Sequence, residues 1–148
     1  VLGRFDTARV AFRQAIALRP QYLPSHLNLA RCLTRPRFKN DSLQTAKVEF
    51  YTVIKLADTE VVRYKTELVE SYRGIAYVLV LEKKYAEALW SLDKAIKIKP
   101  DDVQSLLLSA QCLALMGRRE EAIQAYKKVI QFDPQNKTAR EDLKKLVP

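Results

Sequence analysis

The sequence predicts an all-α fold, a solenoid of antiparallel helix pairs, and three observations support this. The 148 residues are 48% hydrophobic and include only three glycines, a composition that favours helices around a buried core. Apolar residues recur at the three-to-four-residue spacing of amphipathic helices. One spaced pattern ends at Pro100 and again at Pro134. Self-similarity at a period of about 34 residues is typical of stacked helical repeats.

The spaced pattern occurs four times, and its final residue is proline in three of the copies. Each copy has an alanine twelve residues, a large apolar or aromatic residue eight residues and an isoleucine four residues before its end. The small side chain lets a neighbouring backbone approach closely, and proline then ends the helix. The copies end at Pro20, Asp58, Pro100 and Pro134, and their alanines are Ala8, Ala46, Ala88 and Ala122. The periodicity predicts helices over 4–18, 22–34, 42–56, 60–81, 84–97, 102–115, 118–131 and 136–146.

When the last two repeats are aligned in this register, several further positions carry residues of the kind that a repeat family would share. These are Tyr72, Ala76, Leu79, Tyr85, Ala88, Ala95 and Pro100, followed by Ala110, Gly117, Ala122, Tyr126 and Pro134. The chain thereby resembles the tetratricopeptide repeat (TPR) family, whose fold is a right-handed solenoid of antiparallel helix pairs. The resemblance implies one domain over 1–148. It comprises the second helix of a truncated repeat (1–20), a repeat with an inserted loop at 35–41 (23–58), a repeat with an elongated first helix (59–100), a regular repeat (101–134) and a capping helix (135–148). The truncated first repeat suggests a piece of a longer protein.

Two insertions interrupt the regular spacing. The separation of Ala30 from Ala46 exceeds that of Ala76 from Ala88 by four positions, and the four added residues fall in the basic loop 35–41. Eight more residues follow Asp58, and their apolar spacing predicts two extra helical turns, about 12 Å, in the next helix.

The net charge of +9 is concentrated in the first third of the chain, where residues 1–47 hold nine basic and two acidic side chains. Most of the basic residues are arginines, which bind carboxylate and phosphate groups through forked contacts. Either a basic binding surface or a solvated face of a larger array explains this excess.

The sequence shows no catalytic constellation, no metal site and no cofactor-binding motif. The one histidine, His26, falls in a slot used for packing, and Cys32 and Cys112 are expected to be buried free thiols. Three scattered glycines cannot form a phosphate-binding loop. Acidic pairs such as Asp101-Asp102 fall near helix starts, where they suit the helix dipole. The chain is therefore predicted not to be an enzyme, and without an apolar run of about 20 residues no membrane insertion is expected.

The resemblance to the TPR family implies a concave groove, lined by the first helices, that binds an extended or helical peptide. By register the groove residues are Arg31, Arg35, Glu70, Arg73, Tyr77, Gln104 and Gln111. The arginines would hold a carboxylate and Tyr77 would supply rigid contact area. Leu27, Leu81, Leu107 and Leu115 lie either in the groove or in the packing. The pattern that clamps chaperone tails in some members of this family is absent.

The favoured function is therefore a non-catalytic protein–protein interaction scaffold that binds a peptide or protein segment. We hypothesise that this segment is acidic. One alternative is nucleic-acid or polyanion binding through the Arg-rich third and the loop Arg35–Lys39. Another is a targeting or regulatory module of a larger enzyme. The N-terminal helix lacks a cap and offers Phe5, Phe12 and Ile16, which predicts self-association at that end. A looser resemblance to envelope-associated repeat proteins of Gram-negative bacteria implies a bacterial source and a periplasmic or envelope location, with the cytoplasm as the alternative.

Overall fold

A computed structural model describes residues 2–35 and 40–147 of the chain. This part of the chain is all-α and contains no strand, as predicted. Its helices are α1 (Leu2–Leu18), α2 (Leu23–Leu33), α3 (Asn40–Ala57), α4 (Lys65–Leu81), α5 (Tyr85–Ile98), α6 (Val103–Leu115), α7 (Arg119–Phe132) and α8 (Lys137–Leu146). Seven of the eight predicted helices have ends within two residues of those observed, and only α4 begins elsewhere. The centre of the predicted basic loop, residues 36–39, lies outside the described residues.

The helices form two compact units, residues 1–78 and 79–148. In the first unit α1 packs against α2, and α2 packs against α3. In the second unit α5 packs against α6, α6 against α7 and α7 against α8. Packing of each helix on its neighbour in sequence is the arrangement of a helical-hairpin repeat.

The repeated alanines of α3, α5 and α7 are buried within this packing. Ala46, Ala88 and Ala122 are fully buried, because a side chain that ends at Cβ leaves room for the adjacent helix. Four residues after two of these alanines, Phe50 and Tyr126 are buried as well. Burial of each such large side chain stabilises the fold by about 1.5–3 kcal/mol.

Helix ends in the second unit follow recognisable local signals. Asp102 caps α6, since its Oδ2 accepts hydrogen bonds from the Ser105 amide at 3.0 Å and from the Ser105 hydroxyl at 2.6 Å. Asn136 caps α8 by accepting from the Ala139 amide at 3.0 Å. These bonds satisfy amides that have no partner within their helices. Gly117, between α6 and α7, has a φ of 73°, a left-handed conformation that glycine adopts easily.

The helix predicted over 60–81 is too long at its start. Asp58–Glu60 form a 3₁₀ turn, the Tyr64 amide then bonds the Glu60 carbonyl at 3.0 Å, and α4 begins at Lys65. With 17 residues against 13 in α6, α4 gains one turn rather than the expected two. The β-branched Val61 and Val62 have low helix propensity, and Val62 is 94% exposed with no surface to pack against.

His26 is buried, as its predicted packing role requires, but it also links three segments by hydrogen bonds. Its Nδ1 lies 2.6 Å from Glu49 Oε2 in α3, and its Nε2 lies 2.8 Å from the carbonyl oxygen of Pro20. The two cysteines differ, because Cys112 is fully buried whereas Cys32 is only half-buried. Burial raises the pKa of the Cys112 thiol to about 11, so this thiol stays protonated at neutral pH.

Replacing Gly74 by alanine is expected to destabilise the first unit. A Cβ built at Gly74 would overlap the ring of Phe50, and that ring is buried in the core. The overlap costs about 1–3 kcal/mol, which exceeds the gain of about 1 kcal/mol in helix propensity. Urea unfolding of Gly74→Ala in the wild-type and Phe50→Leu backgrounds tests this. The cost of the change should fall in the Phe50→Leu background, and an equal cost in both would contradict the steric explanation.

Replacing Gly117 by alanine is expected to lower the free energy of unfolding by about 1 kcal/mol, because left-handed backbone is unfavourable for residues with a Cβ. No atom lies within 4 Å of the added Cβ, so the cost is conformational alone. Lys83 supplies a matched control, since it has φ of 60° in the preceding helix connection and already bears a side chain. Lys83→Ala should therefore leave the unfolding midpoint almost unchanged.

Candidate functional site

The predicted groove residues divide between the two units. Arg31, Arg35, Glu70, Arg73 and Tyr77 belong to the first unit, whereas Gln104 and Gln111 belong to the second. We therefore describe the predicted groove residues of each unit separately.

In the first unit, Arg31 and Glu70 bind each other. The Nε and Nη2 atoms of Arg31 donate to the two carboxylate oxygens of Glu70, both at 2.5 Å, and Nη1 donates to Asn28 Oδ1 at 3.0 Å. The hydrogen bonds to Glu70 raise the pKa of Arg31 above its usual value. This forked pair joins α2 to α4, two helices that are not consecutive in the sequence. A carboxylate ligand at Arg31 would have to compete with Glu70.

The other predicted residues of the first unit are less sharply defined. Arg35 is exposed, whereas Arg73 and Tyr77 are half-buried. Arg35 and Arg73 each have an interaction partner within the chain. All three arginines expected to hold a ligand carboxylate are therefore already engaged. Tyr77 still offers part of its ring to solvent.

In the second unit, a cleft of about 360 Å³ opens between α6, α7 and α8. We call it the α6–α8 cleft. Most of its lining is apolar. The lining residues are Val80, Leu108, Gln111, Ala114, Leu115, Tyr126, Asp142, Lys145 and Leu146. The predicted residue Gln111 thus lies in the wall of a concave site, whereas Gln104 is exposed and outside it.

Three polar side chains of the α6–α8 cleft, those of Tyr126, Asp142 and Lys145, form one chain of hydrogen bonds. The Tyr126 hydroxyl donates to Asp142 Oδ2 at 3.3 Å, and Lys145 Nζ donates to Asp142 Oδ1 at 2.8 Å. Burial, together with the nearby Asp142 carboxylate, raises the pKa of Tyr126 well above its usual value, so the phenol remains a neutral donor. The charges of Asp142 and Lys145 balance. The cleft therefore presents an apolar wall with no net charge on its polar side.

Exposed apolar side chains lie at the ends of α6 and α4. Leu115 is 59% exposed at the end of α6, and Met116 follows it. Leu81, at the end of α4, occupies the equivalent place in the preceding repeat and is also exposed. The sequence left Leu81 and Leu115 open between packing and groove, and their exposure places them at the surface.

Sequence reasoning missed the contribution of α8 to this cleft. It treated residues 135–148 only as a capping helix. The missing signal was the spacing of Asp142, Lys145 and Leu146, which puts all three on one side of the helix.

The described part of the chain contains neither a metal site nor a membrane-spanning helix. No three or more His, Cys, Asp or Glu side chains gather there in a way that could hold a metal ion. None of the helices described is long and apolar enough to cross a membrane.

Comparisons with known proteins agree with this architecture. A tetratricopeptide repeat family model matches residues 79–146, most of the second unit. The crystal structure of MamA superposes with a TM-score of 0.83 at 19% identity, covering 97% of this chain and 77% of the other. YrrB, described as a TPR protein with an unusual peptide-binding site, gives a TM-score of 0.73 at 17% identity, covering 98% and 69%. At such identities these two structures show the fold alone.

Curated relatives are distant and longer than this chain. The uncharacterized protein ycf37 of Cyanophora paradoxa is 26% identical over 98 residues, which is 66% of this chain and 55% of that protein. DnaJ homolog subfamily C member 7 of Mus musculus is 24% identical over 143 residues, which is 94% of this chain and 28% of that protein. The chain thus spans about half of one relative and about a quarter of the other. The family model that matches residues 79–146 and the solved structures that share the fold together support a tetratricopeptide repeat family for this chain.

Proposed function

We propose that this chain is a non-catalytic protein-binding scaffold that holds a peptide segment in the α6–α8 cleft. The TPR fold supports a protein–protein interaction scaffold in general. The specific observation behind the proposal is the apolar cleft of about 360 Å³, whose wall includes the predicted groove residue Gln111. Ligand-binding pockets typically combine apolar walls with a few fixed polar groups.

The lining of the cleft suggests the chemistry of its ligand. Leu108, Leu115 and Leu146 offer apolar surface, which suits a large aliphatic or aromatic side chain of a peptide. The Gln111 amide has both a donor and an acceptor, so it can bond the backbone of the same segment. Because Lys145 is paired with Asp142, the cleft favours a neutral anchor residue. This modifies the sequence-based hypothesis of an acidic ligand.

The arginines of the first unit give less support to polyanion binding than their number suggested. Arg31 is paired with Glu70, and Arg63 donates to Glu60 at 2.9 Å while lying over the ring of Tyr64. Arg37, on which that hypothesis also depended, lies outside the described residues. Nucleic-acid binding and a module within a larger enzyme remain alternatives, and the second is compatible with the greater length of the relatives.

Replacing Leu115 by glutamate is expected to weaken peptide binding by about tenfold or more. The change removes apolar contact area and places a charge beside the anchor residue. Peptides selected from a randomised display library against the whole chain serve as probes, and fluorescence anisotropy measures their dissociation constants. Leu18→Glu is the matched control, since Leu18 is exposed at the end of α1 and does not line the cleft. Selected peptides that bind wild type and Leu115→Glu equally well would contradict the assignment of this cleft.

The affinity of the same peptides is expected to depend weakly on salt and clearly on Gln111. Gln111→Ala should weaken binding by about fivefold, the equivalent of one hydrogen bond of about 1 kcal/mol. Raising the salt from about 50 to about 200 mM should change the affinity less than about threefold, whereas a polyanion held by six to ten phosphate contacts would lose about 10³–10⁵. A salt effect of that larger size would favour polyanion binding.

A further inference from the structure

A second concave surface lies along another side of α8. This groove, of about 410 Å³, is lined by Ile130, Arg140, Leu143, Lys144 and Val147. We call it the terminal groove. None of these residues lines the α6–α8 cleft, because successive helix residues are rotated by about 100°. One short helix therefore contributes to two separate surfaces within the second unit.

The repeat register relates the positions of α8 around the terminal groove to positions of α6. Val103, Leu106, Ala110 and Leu113 of α6 belong to the core that α6 forms with α7. One repeat period later, the equivalent positions of α8 are Lys137, Arg140, Lys144 and Val147. The side of α8 that bears the groove is thus the side that would receive another second helix. At three of these four positions, a basic residue stands where α6 has an apolar one.

Within the described part of the chain, the two basic residues of the groove are not paired with a carboxylate. Arg140 and Lys144 are exposed, and neither forms an ion pair with any residue in the described part of the chain. Their neighbour Lys145, in contrast, is paired with Asp142 at 2.8 Å. A cap that only has to be soluble can carry charges of both signs on its outer side. Two cations beside an apolar floor of Ile130, Leu143 and Val147 provide a more specific surface.

We propose that the terminal groove docks an acidic amphipathic helix of a partner protein. Apolar residues of this helix would cover Leu143 and Val147, and its carboxylates would pair with Arg140 and Lys144. A helix that presents anchors at positions i, i+3 and i+7 to a groove is a common form of peptide recognition. The charges complement each other across the rim and set the specificity of the contact.

A second copy of this chain fits the same groove poorly. The N-terminal helix α1 of another copy contains Arg4, Arg9 and Arg13 against one acidic residue, Asp6. A basic helix would be repelled by Arg140 and Lys144. The charges therefore favour a different, acidic partner over self-association at this end.

Binding of a designed peptide to the whole chain tests this proposal. The probe is a helix-stabilised peptide with leucines along one side and glutamates flanking them, and anisotropy measures its affinity. Arg140→Glu combined with Lys144→Glu should weaken binding by about tenfold or more. Lys127→Glu combined with Lys128→Glu is the matched control, because both lysines are exposed on α7 and do not line the groove; it should change the affinity less than about twofold. A peptide with lysines in place of the glutamates should bind the Arg140→Glu, Lys144→Glu variant better than it binds wild type.

Three outcomes would overturn the proposal. The acidic peptide could fail to bind wild type at millimolar concentration, or it could bind the Arg140→Glu, Lys144→Glu variant as tightly as wild type. Alternatively, vesicles rich in phosphatidylserine could bind in an Arg140- and Lys144-dependent way while the peptide does not, which would assign the groove to a lipid surface. Leu115→Glu should leave acidic-peptide binding unchanged, so a failure of the terminal groove is distinguishable from a failure of the α6–α8 cleft.

Discussion

Close approach between neighbouring helices is the constraint on which the rest of this structure depends. Ala46, Ala88 and Ala122 are buried at equivalent positions of three second helices, and Gly74 makes a similar approach to the ring of Phe50 possible. A larger side chain at any of these points would push two helices apart. Because the same small residue recurs in the same register, α3, α5 and α7 each bury the same side, and the regular period of the sequence follows from this requirement.

This packing also decides which residues are left for binding. The second helices α5 and α7 put their alanines and large apolar residues into the core. The first helix α6 does so along one side only, which leaves Gln111 and Leu115 beside the α6–α8 cleft. In the first unit, the same side of the first helices holds Arg31 and Glu70, which bind each other. The two units thus use equivalent positions differently, one for an internal ion pair and the other for an apolar cleft.

The sequence predicts the fold well because its signals are local and repeated. Spacing of apolar residues, proline at helix ends and Gly117 between helices each act over a few residues. The predicted start of α4 is wrong because apolar spacing continues through Val61 and Val62. Spacing alone does not show whether a helix packs against these residues. Among the site residues, Gln111 was found by register, whereas the Arg31–Glu70 pair joins side chains that are distant in sequence. The α6–α8 cleft also required knowing how α8 is rotated about its own axis, and its amphipathic pattern indicates only that one side is buried.

The position of α8 has a thermodynamic consequence. Its ten residues are too few to form a stable helix alone in water, so it is held by its contacts with α7 and by the Asn136 cap. Asp142 and Lys145 face one surface, whereas Arg140 and Lys144 face the other. Any ligand that orders α8 from one side lowers the entropic cost of binding on the other side, and linkage requires the effect to be mutual. Through this one helix, the two proposed ligands would be coupled to the extent that each of them orders α8.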